Sequence, residues 1–370
     1  MNWPLLRLTK MRGATDFQDL EGVFKFKTCY ENFGLNFLDN ATYPQCSGFV
    51  YNIEFLNWLS SDLLNWISQS QFYTFQLTLY SILFAYLYAY IAKSQTVRML
   101  TLFLLFSPSS QLLIERGNLD ALMIPLIVLA SILVYRRKIF QSILPIILAT
   151  MIKFYAIPIF LFAIQKAVTL RIKLIVAVVF TFVLYVSVHD YLLLSEKTIQ
   201  TYCCSFGSDV FGLYLNRVGL NLNSELISIT GWVTLIFSII LVNFLSRSSL
   251  SGLLPKISNS VVQKSEVFLP LILVFSGLYV SGTNFDYKLQ ILGIAQLSYI
   301  NSCEKGLHRK THVVYLFLIQ VFSYSSMDLQ PIGDVLILIY LASLIHTYGS
   351  VYTKNLFNVI SHTRFNPQRH

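Results

Sequence analysis

An all-α, polytopic bundle of transmembrane helices is the fold class this sequence predicts. Of its 370 residues, 55% are hydrophobic and 12% charged, about half the roughly 25% that a soluble domain carries. The apolar residues fall in long blocks, as a bilayer's hydrocarbon core requires. Lysines and arginines gather between alternate blocks, the mark of cytoplasmic loops. A chain of this length would by default make two soluble domains, but too little polar surface is present to wrap them. No Gly/Ser linker, charge block or low-complexity tract divides it.

Residues 1–71 contain no stretch able to span and are read as an N-terminal extracytoplasmic loop region. Arg7, Lys10 and Arg12 look like a cytoplasmic flank. The expectation is therefore a first transmembrane helix missing from before this loop; export of the loop as an N-terminal tail is the other reading. Residues 1–20 lack the apolar stretch of a cleavable signal peptide. Cys29 and Cys46 lie in this region, where a disulfide between them and two free thiols both remain open.

Apolar runs follow near 72–92, 99–114, 119–135, 139–151, 154–165, 174–194, 226–245, 267–282, 288–300, 312–324 and 332–349. They make about ten hydrophobic segments across a transmembrane domain at 72–350, ahead of a basic cytoplasmic tail at 351–370. A full crossing takes roughly 20 residues, so 139–151 and 154–165 are short. They flank Lys153 and read as a helix pair turning inside the membrane, or as one bent span.

With the first loop outside, the inner loops hold 17 of the 27 basic residues, and each obeys the positive-inside rule. The formal charge of +9 is thus explained by orientation, and no nucleic-acid partner is expected. Of 18 acidic residues, only Glu266 and Glu304 fall inside. Acidic residues weigh little in orientation, so their outward clustering points to a site on the outer face. Cysteine spacing gives no metal pattern. His308 and His312 lie in an inner basic loop and are read as solvated. There is no P-loop, dinucleotide fingerprint, zinc-protease motif or nucleophile elbow, and no internal repeat of the kind that builds many transporters.

Polar groups interrupt the apolar chain at three places. Glu115, Arg116, Asn118 and Asp120 form one, and Lys153 with Tyr155 a second. Asn284, Asp286 and Lys288 form the third, in SGTNFDYKLQ. Charges at membrane depth usually mark function, although each group also fits a plain hydrophilic turn. Arg116, Lys153 and Lys288 reach the same outer side in this topology. Cations there suit the phosphate of a lipid head group. The carboxylates of the first loop, Asp16 and Asp19 among them, have the chemistry of a general base.

The stretch SPSSQLLIERGNLDALMIPLIVLASILVYRRK with ATMIKFYAIPIFLF resembles the glycosyltransferase C superfamily. Within it, the similarity is to polyprenyl-phosphate-mannose-dependent mannosyltransferases, which carry an E-R-G-N-x-D turn and then a K-x-Y-P-like turn. Here Ala156 follows Tyr155, and proline comes at Pro158. FDYKL at 285–289 resembles a later F-D-Y-R-L element, and TDF at 15–17 the start of the acidic first loop.

The resemblance implies an integral protein of a bacterial plasma membrane with its active site on the extracytoplasmic face. It implies transfer of a hexose such as mannose, with inversion, from a polyprenyl-phosphate donor to a glycan, lipid or protein hydroxyl. Asp16 would be the general base, with Asp19 second, and Arg116, Lys153 and Lys288 would bind the donor phosphate. Glu115, Asn118, Asp120, Tyr155, Asn284 and Asp286 would orient the turns or hold sugar hydroxyls. No cofactor is expected, and nothing in the spacing demands a divalent metal. A transporter or flippase for lipid-linked saccharides is the first alternative. It calls for polar residues through the membrane middle, whereas the sequence crowds them at the outer boundary. A polysaccharide polymerase or ligase is the second.

The topology predicts that Arg136–Lys138 is cytoplasmic. In a cysteine-free background, Arg137→Cys should react with an impermeant maleimide only after lysis. Labelling in intact cells would refute the outer-face site.

Overall fold

A computed structural model describes residues 18–38, 42, 53–61, 67–194, 205–206, 210–280, 284–285, 288–303, 306–323 and 330–364. Among the described residues, the first region holds the α-helices α1 (Gln18–Phe33) and α2 (Ile53–Leu59). Next come α3 (Gln69–Tyr86), α4 (Gln95–Leu105), α5 (Pro108–Glu115), α6 (Asp120–Tyr135), α7 (Ile139–Ile152), α8 (Pro158–Lys166) and α9 (Leu170–Leu194). The strand β1 (Ser205–Phe206) precedes α10 (Val210–Arg217), α11 (Ser224–Ser246), α12 (Asn259–Lys264) and α13 (Phe268–Val280). Then β2 (Asn284–Phe285) leads to α14 (Leu289–Ser302), α15 (Leu307–Phe322) and α16 (Gln330–Arg364). The last helix runs without a break into the basic tail. The strands form a two-residue antiparallel ladder, Ser205 opposite Phe285 and Phe206 opposite Asn284.

Among the described residues, five helical stretches are long and apolar enough to cross a bilayer: Gln69–Ile91, Gln95–Glu115, Leu170–His189, Ser224–Ser246 and Gln330–Thr347. Shorter apolar helices, α6, α7, Phe154–Lys166 and Phe268–Tyr279, accompany them. This is the make-up of an integral membrane protein. The short runs around Lys153 form a helix pair, α7 and α8, both packed on α6.

Burial separates a centre from a rim. Every residue of α14 from Leu289 to Ile300 is buried, as is most of α6. A helix covered on every face belongs to the core of the bundle. By contrast, α9 exposes Val178, Phe182 and Tyr185, and α11 exposes Ile236, Phe237, Ile240 and Phe244. Lipid tails are the natural cover for such faces.

The Gln95–Glu115 span is broken midway. Ser107 caps α5, and Pro108 takes its first position, where a missing N–H costs nothing. A break in an apolar interior frees backbone groups that need other partners. The Ser107 hydroxyl donates to the Leu104 carbonyl at 2.7 Å. Gln290 reaches in from α14, its Nε2 lying 3.1 Å from the same carbonyl and 2.7 and 2.6 Å from the Ser107 and Ser109 hydroxyls. Ser109 donates to Gln320 of α15 at 2.6 Å, and Ser110 meets Tyr80 of α3 at 3.0 Å. Thus α3, α5, α14 and α15 are joined through one buried set of hydroxyls and amides.

The opposite end gathers the basic loops. Arg136 lies 3.4 Å from Glu266, which raises the guanidinium pKa still further. Arg309 donates to Ser94 at 2.6 Å, and the Lys93 amide to Asn301 at 3.0 Å. His312 departs from the solvated role expected of it. It is buried in α15, with Nε2 3.1 Å from the Lys256 carbonyl and its ring 4.4 Å from that of Tyr299. Those partners, remote in sequence, replace its water; His308 is exposed.

Gln290→Leu should strip the break of its amide donor and cost about 1–3 kcal/mol, the usual penalty for stranding buried polar groups. A lower thermal midpoint in detergent would report it. An unchanged midpoint would show that the serines satisfy the break alone.

Candidate functional site

The ERGNLD stretch is a helix-to-helix turn whose letters each have a local cause. Arg116 caps the end of α5, and Gly117 follows at φ +60°, in the left-handed region that glycine enters without strain. The Gly117 amide then reaches the Ile114 carbonyl at 3.0 Å, and the Asn118 amide the Leu113 carbonyl at 3.1 Å. This is a Schellman closure. The Asn118 side chain turns forward and accepts from the Asp120 amide at 2.9 Å. Asp120 opens α6, where a carboxylate faces the positive end of the helix dipole.

The second turn begins at Lys153, whose extended backbone ends α7. One 3-10 turn, Phe154–Ala156, follows, and Pro158 opens α8. The two turns interlock. Lys153 Nζ lies 3.0 Å from Asp120 Oδ1 and 3.2 Å from Asn118 Oδ1. The Tyr155 hydroxyl also donates to Asp120 Oδ1. Asp120 is fully buried and the Lys153 side chain 11% exposed. Asp120 Oδ2 is buried as well and meets no hydrogen-bond donor among the described residues.

Lys288, at the start of α14, holds its ammonium 5.2 Å from the centre of the Tyr155 ring, a cation–π contact. The third polar segment therefore meets the other two. Glu115 and Arg116 are half-buried beside them. The Leu20 amide reaches the Arg116 carbonyl at 3.4 Å. That contact sets the first turn of α1, and with it the Asp19 backbone, against the ERGNLD turn. The β1–β2 ladder brings residues 205–206 alongside Asn284. Asp16 and Asp286 lie outside the described residues; of Asp19 and Asn284 only the backbone is described.

Lys153, Asn118, Asp120, Tyr155 and Lys288 thus share direct contacts, and Arg116 joins them through its own turn. Asp334 was passed over in the sequence. It is buried near the start of α16, within electrostatic reach of Tyr279 near the end of α13. Its signal was a carboxylate inside the apolar run 332–349. Among the described residues no group of three His, Cys, Asp or Glu side chains is arranged to hold a metal ion. The site offers cations, a buried carboxylate and a phenol, a set suited to an anionic head group. Comparison with protein families, curated proteins and solved structures finds no match to this chain.

Gly117→Ala should lower stability by about 1–2 kcal/mol, the cost of holding an L-residue in the left-handed region. Gly117→Asn should cost less, because asparagine tolerates that region. Equal melting points for the two variants would contradict the turn geometry.

Proposed function

We propose that this protein is a glycosyltransferase of the glycosyltransferase C kind. It moves a hexose, mannose foremost, from a polyprenyl-phosphate donor to a hydroxyl acceptor at the outer membrane face. The observation that carries the reading is the meeting of the ERGNLD turn, the Lys153 turn and Lys288 at the end opposite the basic loops. In this reading the short apolar helices complete about ten membrane segments. Cys29 is disulfide-bonded, to a partner outside the described residues. A disulfide suits an oxidising compartment, and so an outward N-terminal region.

The reaction is a single displacement. The acceptor oxygen attacks the anomeric carbon as the bond from that carbon to the phosphate oxygen breaks. The lipid phosphate leaves with the electron pair, and the acceptor proton passes to a carboxylate, Asp16 first and Asp19 second. Cations fixed around the phosphate stabilise the charge that grows on it, usually a large catalytic contribution. The lipid carries the activated sugar, so no nucleotide site is needed.

A flippase for lipid-linked saccharides is the second reading. The buried amides favour it: Gln76, Gln290, Gln296 and Gln320 are all sealed within the bundle. A transporter would move the lipid across without cleaving it.

Membranes containing the protein should convert radiolabelled polyprenyl-phosphate-mannose to a new glycan or glycolipid. Asp16→Asn should keep donor binding and lose turnover by about 10²–10⁴-fold, the usual loss with a general base. Full activity at normal expression would move the role to Asp19. Relocation of intact donor without sugar transfer would establish the flippase.

A further inference from the structure

Helix α6 ends in the same closure that follows α5 and α10. After α5 the Gly117 amide donates to the Ile114 carbonyl and the Asn118 amide to the Leu113 carbonyl. After α10 the Gly219 amide donates to the Asn216 carbonyl and the Leu220 amide to the Leu215 carbonyl. Both glycines have the positive φ that this closure takes. After α6 the matching bonds run from the Arg137 amide to the Val134 carbonyl at 3.0 Å, and from the Lys138 amide to the Leu133 carbonyl at 2.8 Å. At the glycine position there stands an arginine, at φ +60°. Among the described residues, Asn221 is the other non-glycine with positive φ, and asparagine tolerates a region in which arginine is strained.

Membrane orientation does not account for that arginine. The positive-inside rule counts basic residues over a whole loop, and Arg136 and Lys138 already flank this position. A cation also suits the negative end of a helix, and the same two neighbours supply it. The charge at position 137 itself therefore calls for a separate use.

Its surroundings narrow that use. Arg136 is taken up by Glu266 and by the Tyr86 hydroxyl, each 3.4 Å away. Arg137 and Lys138 are exposed, and neither side chain has a hydrogen-bonding or ionic partner among the described residues. Directly after them α7 exposes Phe140 and Leu144, four residues apart and so on one face of the helix. A pair of uncompensated cations continued by an apolar stripe matches an amphiphile with an anionic head and an acyl chain. A guanidinium fits phosphate oxygens in bidentate fashion.

We propose that Arg137 and Lys138 bind the phosphate of an anionic phospholipid at the basic end of the bundle, with its acyl chain along Phe140 and Leu144. A zwitterionic lipid fits less well, because its head group brings a cation of its own to the arginine. This surface is separate from the candidate site at the opposite end and does not depend on the glycosyl-transfer reading.

Purified full-length protein would be melted in nanodiscs of phosphatidylcholine, with and without phosphatidylglycerol of the same acyl chains. Lipid retained after detergent extraction would be read by mass spectrometry. The wild type should melt higher with phosphatidylglycerol and retain it over phosphatidylcholine by about tenfold, the worth of one charge-assisted hydrogen bond. Arg137→Gly should start higher in phosphatidylcholine, because the strain is gone, and show little further rise. Arg137→Gln keeps the strained backbone and loses the charge, so it should start near the wild type and lose both the rise and the preference. Arg247→Gln, which removes an exposed cation at the end of α11, should keep both. Soluble glycerol phosphate, which has no acyl chain, should not reproduce the rise.

Equal losses in Arg247→Gln and Arg137→Gln would reduce the effect to the general attraction of basic loops for an anionic surface, and so overturn the site. A wild type indifferent to phosphatidylglycerol would do the same. A full rise with glycerol phosphate would make the ligand a free phosphate and not a lipid. If Arg137→Gly melts below the wild type in phosphatidylcholine, the strain from which the site was inferred is refuted.

Discussion

The ion pair between Asp120 and Lys153 is the constraint on which this end of the molecule depends. It spans 33 positions of sequence and bolts the turn between α5 and α6 to the turn between α7 and α8. Neither charge could stay alone in so dry a place. Removing one member of a buried pair typically costs about 3–5 kcal/mol, because the other is left uncompensated. Replacing both can be nearly neutral, so the pair is better understood as specifying an arrangement than as adding stability. What it specifies is the position of Tyr155, and through that ring the place of Lys288.

The rest of the bundle keeps that end in register. The broken span is the weak point of any membrane helix, and here side chains from three other helices cover the break. Gln290 links this frame to the site directly, since it follows Lys288 by two residues and caps the break from α14. At the far end, Arg136 with Glu266 and Arg309 with Ser94 hold the basic loops. The molecule is thus polarised along its axis: shared charges and amides near the candidate site, and orientation signals at the other end.

Much of the architecture is visible in the amino-acid order because a bilayer filters sequence so strongly. The run at 119–135 became Asp120–Tyr135, 139–151 became Ile139–Ile152, and 174–194 became Leu170–Leu194. The polar turns also announce themselves, since charges inside apolar text are conspicuous. Pairing is what the sequence could not disclose. Nothing local says that Lys153 is neutralised by Asp120, that Gln290 serves the Ser107 break or that His312 is sheltered by Tyr299. These are choices among distant partners, and each depends on how helices cross. Asp334 escaped notice for a related reason: one carboxylate near the start of an apolar run looks like a helix boundary until the fold buries it.

The unequal helix lengths bear on the surrounding membrane. The 16 residues of α6 extend about 24 Å, short of a hydrocarbon layer roughly 30 Å thick. The 23 residues of α11 extend about 35 Å and overshoot it. A lipid annulus meeting the long rim helices cannot match the short central ones as well, and such mismatch is relieved by tilt or by local thinning. The interlocked turns cap these short helices, and the ERGNLD turn also ends the 21-residue span Gln95–Glu115, so it joins a short helix to a full-length one. Acyl-chain length and sterol-like stiffening of the host bilayer thereby become physical variables of the site.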